Sequence, residues 1–476
     1  MSSDTSSIDD NAIILVKDTT STVPSKHRYH TSEHEIRKKL RISSNKQLNR
    51  KDISDICNIE EVEYYFENDL RKVKPYYYEY RTFTKKRWIG RTILDVFTTE
   101  FRDRSPQYYV HKEHDDMARA IKRGSITVNN QTVSTDTILR NQDFITHKIH
   151  RHEPPVTAEK IKIICKNDDL IVINKPGSIP IHPSGRYLYN TVLHILRKEH
   201  QLDSLHTINR LDRLTSGITL IAINKQKARE LEEQIRSRNV RKEYVCRVLG
   251  EFPTEEIICD QPIKCVSHKL GLNSVSSDGK PSTTVFNRVH YNGHTSVVRC
   301  KPITGRTHQI RVHLQYLGYP IANDPLYNHP SAWGASKGKG GFDQETTARV
   351  IDYFMREGLG DEEKTIVINS ETGEETNLTN DKETVISETN NAGERNEDET
   401  SDTPVGDEGT HYLNEDYCEE CANQKFDDPL PHQLCIWLHA LKYEGDGWKY
   451  ETELPEWAKT DFVGDRDISV DGASIG

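Results

Sequence analysis

Between about residues 160 and 302, short apolar runs separated by turn residues predict a strand-rich region. Lys160 to Cys165, Leu170 to Asn174 and Ile218 to Ile223 read as strands. Thr283 to His290 and Ser296 to Lys301 read as a hairpin turning at Asn292-Gly293. Two segments follow the 3.6-residue period instead. Lys225 to Arg238 places Ala228, Leu231 and Ile235 on one face behind an Asn224 N-cap, and Arg306 to Leu317 turns Ile310, Leu314 and Leu317 inward. Upstream, Thr92 to Phe101 predicts a helix with Ile93, Val96 and Phe97 on one side. Met117 to Gly124 reads as a basic helix stopped by glycine, then a strand from Ile126 and an Asn129-Asn130 turn. Pro154-Pro155 marks a linker. Apolar and aromatic residues return at Leu434 to Leu441 and Trp448 to Trp457.

Composition divides the chain further. Only 34% of the 476 residues are hydrophobic, but the polarity is concentrated in places. From Asp361 to Thr410 there are 16 acidic and 3 basic residues, a net of −13, whereas the whole chain carries −10. Everything outside that stretch therefore sums to +3, and the pI of 6.1 describes the insert more than the folded part. Such a segment buries too little apolar surface to offset its ordering entropy, so 361–410 is expected to be a disordered insertion within one domain. Residues 1–70 are expected to form a poorly ordered arm. Arg71 to Gly124 carries 14 basic and 7 acidic residues, with Tyr76-Tyr77-Tyr78 and Lys85-Lys86-Arg87-Trp88 interleaving cations and aromatics. That pattern suits phosphate contact and base stacking, and equally a solvated edge strand.

Nine scattered cysteines lack the spacing of a secreted disulfide framework and point to reduced thiols inside the cell. No run approaches a membrane span. The three aspartates within the first ten residues argue against a secretory signal or an acidic-poor transit peptide. The expected compartment is cytoplasmic, with mitochondrial and nuclear placement left open.

The chemistry concentrates in Arg210-Leu211-Asp212-Arg213-Leu214-Thr215-Ser216-Gly217, which sets a carboxylate in a turn just before an apolar strand. A lone aspartate in such a turn commonly caps local N–H groups. Here, however, the order Arg-Leu-Asp-x-x-Thr-Ser-Gly resembles the signature of RluA-type pseudouridine synthases. Further segments follow in that family's order: Asn174 to Gly177, Pro180 to Gly185, Lys242-Glu243-Tyr244, and Thr304 to Leu314 running on to Asp324-Pro325-Leu326-Tyr327. One departure is Asn209, where the family often has histidine before Arg-Leu-Asp.

The resemblance implies an RNA isomerase that needs no cofactor. Asp212 would act as the ionised carboxylate, either attacking C1′ of a uridine or stabilising charge while abstracting a ribose proton toward a glycal. Arg311 would pair with it, and Tyr244 would hold the detached uracil. Arg210 would contact RNA at the flipped nucleotide. Lys242, Arg306 and Lys301 are placed to touch phosphate or simply to be solvated, and Lys85, Lys86, Arg87, Lys122 and Arg123 are the candidate cations of the upstream region.

The expected fold is α+β: a pseudouridine synthase domain over 156–360 and 411–460 on a mixed, mainly antiparallel sheet. A small S4-like RNA-binding module over 71–153 precedes it, and a tail covers 461–476. The expected partner is tRNA, modified by a monomer at uridine 32 of the anticodon loop, as in the fungal enzymes the motifs most resemble. An rRNA synthase and an idle RNA-binding protein of the same fold are the rivals. Cys418 and Cys421 have metal-ligand spacing, with His432, Cys435 and His439 downstream, Cys435 to His439 on an expected helix face. A tetrahedral site needs four ligands and only one such pair exists, so no metal is expected.

Overall fold

The computed structural model describes residues 62–100, 121–122, 124–202, 204–268, 270–356 and 428–466, all within one compact unit. It begins with strands β1 (Tyr64–Glu67) and β2 (Leu70–Val73), joined by a turn in which Asn68 and Asp69 both take positive φ. These strands lie inside and just beyond the stretch expected to be an arm. Long-range contacts, which local composition does not reveal, hold them. The Arg71 guanidinium sits 5.0 Å over the rings of Tyr64 and Phe66 and pairs with Glu199, while the Tyr64 hydroxyl donates to the Tyr189 carbonyl.

A small α+β unit comes next. Strands β3 (Tyr76–Phe83), β4 (Ile126–Val128), β5 (Gln131–Thr132) and β6 (Phe144–Arg151) form an antiparallel sheet in the order β3-β6-β4-β5. Helix α1 (Ile93–Thr99) starts at Thr92, whose hydroxyl accepts from the Asp95 N–H. The turn between β4 and β5 has positive φ at Asn129 and Asn130, the geometry of a type I′ hairpin. Trp88, Ile93, Val96, Phe97, Ile121, Ile126, Leu139 and Ile145 make its core. Glu153 fastens this unit to the loop before helix α2 (Val192–His200): its buried carboxylate accepts from the Tyr76 hydroxyl and from the N–H groups of Tyr189 and Asn190.

The large sheet is assembled from distant parts of the chain. After β7 (Val156–Thr157), which pairs with β2, come β8 (Lys162–Lys166), β9 (Leu170–Lys175), β10 (His206–Thr207), β11 (Ser216–Ala222), β12 (Arg241–Leu249) and β13 (Ile257–Asp260). A separate hairpin, β14 (Ile263–Ser267) and β15 (Leu272–Val275), precedes β16 (Thr283–Tyr291), β17 (Thr295–Pro302), β18 (Leu438–Gly445) and β19 (Trp448–Glu451). The order is β13-β16-β17-β12-β18-β11-β9-β8, with β10 beside β11 and β19 beside β18. Every pairing is antiparallel except β11 with β18, so the sheet is mixed and mainly antiparallel.

Strand alternation sorts the core. Leu170 and Val172 face the central cluster with Leu220, Tyr244 and Leu314, while Ile171 and Ile173 face helix α2. Helix α3 (Lys225–Arg236) is capped by the Asn224 side chain as expected, and ends two residues early because Arg238 takes φ 61°. Helix α4 (Gln309–Leu317) starts three residues later than the periodicity suggested, since His308 is left-handed at φ 56°. Two more helices, α5 (Pro330–Trp333) and α6 (Gln344–Arg356), close one end. The stretch expected to run as a helix through Cys435 and His439 is not helical: Cys435 to Trp437 are irregular, and from Leu438 it forms a central strand. Among the described residues, no helix is long and apolar enough to cross a membrane.

Candidate active site

Asp212 lies in the turn between β10 and β11, closed by the Thr215 N–H donating to its carbonyl at 3.0 Å. Gly217, with φ +115°, explains the end of the Thr-Ser-Gly motif. A Cβ there would collide with the backbone of Ala440, so only glycine lets β18 pair against β11 at the foot of the turn. Lys175 pins the other side. Its buried ammonium donates to the carbonyls of Pro176, Ile179 and Arg213 at 2.9, 2.9 and 3.0 Å. The Asn-Lys-Pro-Gly loop and the aspartate turn are thereby tied through one cation.

From the opposite direction, α4 delivers Arg311. Its guanidinium is buried and grips Asp324 with two parallel bonds, Nε to Oδ2 at 2.7 Å and Nη2 to Oδ1 at 2.9 Å. The remaining nitrogen, Nη1, reaches Asp212 Oδ2 at 3.4 Å. Burial alone would push Asp324 up. Arg311 and the N–H groups of Tyr327 and Leu326 outweigh it and hold the carboxyl below its ordinary value. Arg311, penalised by burial but flanked by two carboxylates, stays charged. Asp212 itself is a quarter exposed. One carboxylate therefore holds the guanidinium, and the other is presented at the surface of the cleft.

His308 adds a second group near the same oxygen, with Nε2 3.7 Å from Asp212 Oδ2. The Asn273 N–H donates to the Tyr327 hydroxyl at 3.0 Å, so that hydroxyl's hydrogen is available to His308 Nδ1, also at 3.0 Å. Where Nδ1 accepts that hydrogen, the neutral imidazole carries its N–H on Nε2, on the Asp212 side.

Tyr244 comes from β12, just after a bulge between Glu243 and Tyr244 where the register with β18 shifts. Its ring joins the core with Leu211, Leu214 and Ile310, and its hydroxyl lies 2.5 Å from that of Tyr443 on β18. Burial, partly offset by the hydrogen bond with Tyr443 and reinforced by the charge of Asp212, pushes it up to about 12. Asn209, standing where histidine is common, accepts from the Leu220 N–H at 2.8 Å and offers its Nδ2 to Tyr443 at 3.4 Å.

The other expected cations divide. Arg210 is exposed beside the turn, close enough to add to the effect of burial in lowering His182 to about 4. The Lys242 ammonium lies 5.7 Å over the Tyr443 ring and is lowered by burial. Arg306 is exposed and donates to the Pro281 carbonyl. Lys301 does not face this cleft: it is next to Cys300, which packs with Tyr244, so alternation sends it to the other side of the sheet. There it lines a shallow groove with Arg288 and Arg299. Lys85 and Arg87 lie over the buried Trp88 ring in the small unit, where Arg87 pairs with Glu100; Lys86 precedes Arg87 in the same turn, and Lys122 is exposed in the same unit. Arg123, Cys418 and Cys421 lie outside the described residues, as does the 361–410 segment. His439 is engaged by Ser216 and Thr452, at 2.8 and 2.7 Å.

Sequence reasoning missed Lys175, Asn209, His308, Asp324 and Tyr443 as site residues. The first four sit inside the motifs already singled out, so motif membership was the available signal.

An RNA pseudouridylate synthase family model matches residues 169–316, the span that carries Asp212, Tyr244 and Arg311. Pseudouridylate synthase RPUSD2 of Homo sapiens is 42% identical over 429 residues, covering 85% of this chain and 76% of that protein. The chain belongs to the RNA pseudouridylate synthase family. The tRNA pseudouridine(32) synthase, mitochondrial, of Saccharomyces cerevisiae is 40% identical over 84% of this chain and 79% of its own length. The tRNA pseudouridine(31) synthase of the same yeast is 33% identical over 85% of this chain and the whole of that protein. Pseudouridine synthesis breaks the N1–C1′ bond of uridine, turns the uracil and joins C5 to C1′, with loss of the C5 proton. The site holds the Asp212 carboxylate, able to act on C1′ or a ribose proton, and a buried guanidinium able to carry developing charge, with the Tyr244 ring packed in the core beside them.

Proposed function

We propose that this RNA pseudouridylate synthase acts on tRNA, converting uridine 32 of the anticodon loop, with Asp212 as the catalytic carboxylate, Arg311 as its partner and Tyr244 against the uracil. The observation that carries the reading is the meeting of Arg311 with a quarter-exposed Asp212 at 3.4 Å, with Tyr244 close enough to feel that carboxylate's charge. The tRNA assignment is supported by the names of the two yeast relatives and by their coverage of the chain. An anticodon loop also suits the chemistry, because a base already outside a duplex costs least to extrude.

The unit around β3 to β6 serves, in this reading, as an S4-like RNA-binding module, with Lys85, Lys86, Arg87 and Lys122 toward phosphate. Arg210, Lys242 and Arg306 contact the RNA nearer the reacting nucleotide. The protein works as a cytoplasmic monomer; a mitochondrial pool is the second reading, favoured by the word in the yeast relative's name.

Mapping pseudouridine in total RNA from cells with and without the protein tests the substrate. Loss at tRNA position 32 is expected. An unchanged tRNA profile with loss of an rRNA site would replace this reading with the rRNA one.

A further inference from the structure

We propose that Tyr443 is a positioning residue for the isomerisation, directing the hydroxyl hydrogen of Tyr244 into the cleft occupied by Asp212. The inference rests on the reading of Tyr244 as a site residue and adds a group behind it.

The direction of the hydrogens is set by a fixed donor. The Leu220 N–H belongs to β11 and can only donate, so the side-chain atom of Asn209 that meets it at 2.8 Å is an acceptor. The amide is thereby oriented, and its Nδ2 faces the Tyr443 hydroxyl at 3.4 Å. The Tyr443 hydroxyl accepts there; with no other acceptor in contact with this buried oxygen among the described residues, its own hydrogen lies along the 2.5 Å contact with Tyr244. Two phenols share only one hydrogen across such a contact. Tyr244 accepts it, and its own hydrogen must point elsewhere.

The surroundings make this arrangement directional. Tyr443 is fully buried, so no water competes for its hydroxyl. Leu211 and Leu214, which bracket Asp212, pack in the same cluster as both rings. A buried phenol that accepts a hydrogen bond also holds its oxygen's charge better than an isolated one, which moderates the rise that burial imposes on Tyr244. Tyr443 touches neither base nor ribose in this account. Its influence passes through the Tyr244 oxygen.

A double-mutant cycle on the RNA in which the wild type forms pseudouridine separates this role from packing. Single-turnover rates are measured for wild type, Tyr244→Phe, Tyr443→Phe and the double variant, with RNA affinity and thermal unfolding followed in parallel. Tyr443→Phe is expected to slow the reaction about 10-fold at unchanged RNA affinity, the scale of one buried hydrogen bond. In the Tyr244→Phe background the same substitution should change nothing. Wild-type rates for Tyr443→Phe, or effects that multiply in the double variant, would overturn the inference and leave the site reading intact. Wild-type rates for Tyr244→Phe would instead remove the role of Tyr244, and that of Tyr443 with it. If Tyr443→Phe does not fold, Tyr443→Met, which fills the volume flexibly without an O–H, takes its place in the cycle.

Discussion

Arg311 shows how one side chain can serve stability and chemistry together. Two of its nitrogens are committed to Asp324 inside the core, and only the third meets the carboxylate at the cleft. Lysine carries the same charge but cannot span two carboxylates with a planar fork. Arg311→Lys is therefore expected to lower the single-turnover rate about 10²- to 10³-fold with little change in RNA affinity. A kinetic constant close to wild type would mean that the charge alone is what matters. Asp324→Asn probes the other half. It leaves a buried guanidinium without its main counter-ion, a change that typically costs about 3–5 kcal/mol, and chemical denaturation would measure it. The pair also has a pH signature. The Asp324 carboxyl is held below its unfolded value, so its stabilisation is complete above about pH 4 and lost as pH falls through the lower folded value.

At the scale of elements, the active-site turn depends on the strands around it. Strand β18 supplies His439, hydrogen-bonded on both ring nitrogens to Ser216 and Thr452 and lowered by burial to about 4. A histidine kept neutral in the folded state contributes stability that is complete above its unfolded value near 6.5. That contribution is lost as pH falls toward 4, because the unfolded chain takes up the proton first. Thermal unfolding of the wild type should therefore fall between about pH 6.5 and 4, and His439→Gln should flatten part of that slope. An unchanged slope would place the acid sensitivity elsewhere, His182 and His194 being the next groups with the same downward shift. The sequence made most of these elements readable. The Asn292-Gly293 hairpin formed as read, because its turn chemistry is local. The segment through Cys435 and His439 was misread because apolar spacing over so few residues fits helix and buried strand alike, and only pairing between β11 and β12 decides. The start of α4 slipped for a similar reason: the left-handed turn at His308 has no hydrophobic signature.

For the whole molecule, the sheet is completed by a strand that lies far along the chain. β17 ends at Pro302, yet β18 at Leu438–Gly445 joins the two halves that carry Asp212 and Tyr244. Asp212, Tyr244 and Arg311 each sit in a compact signature, and the fold brings Arg311 Nη1 to 3.4 Å from Asp212 and Tyr244 within reach of that carboxylate's charge. Lys301, expected to touch phosphate or to be solvated, lies on the other sheet face beside Arg288 and Arg299, because motif proximity does not tell which face of a strand a residue takes. Tyr443 was invisible as a site residue because its role needs a partner 199 positions away. The acidic stretch at 361–410 is expected from composition to add nothing to catalysis. Its deletion should leave the single-turnover rate within about 2-fold of wild type, given the slow growth of closure entropy with loop length, whereas loss of folding would show that the segment contributes structure.

The most direct test replaces one oxygen. Asp212→Asn keeps the size and place of the side chain while removing its charge, and pseudouridine formation is followed under single-turnover conditions with RNA saturated by protein. The variant is expected to bind RNA nearly as the wild type does and to form no pseudouridine above background. Product accumulating at the wild-type rate would contradict the account.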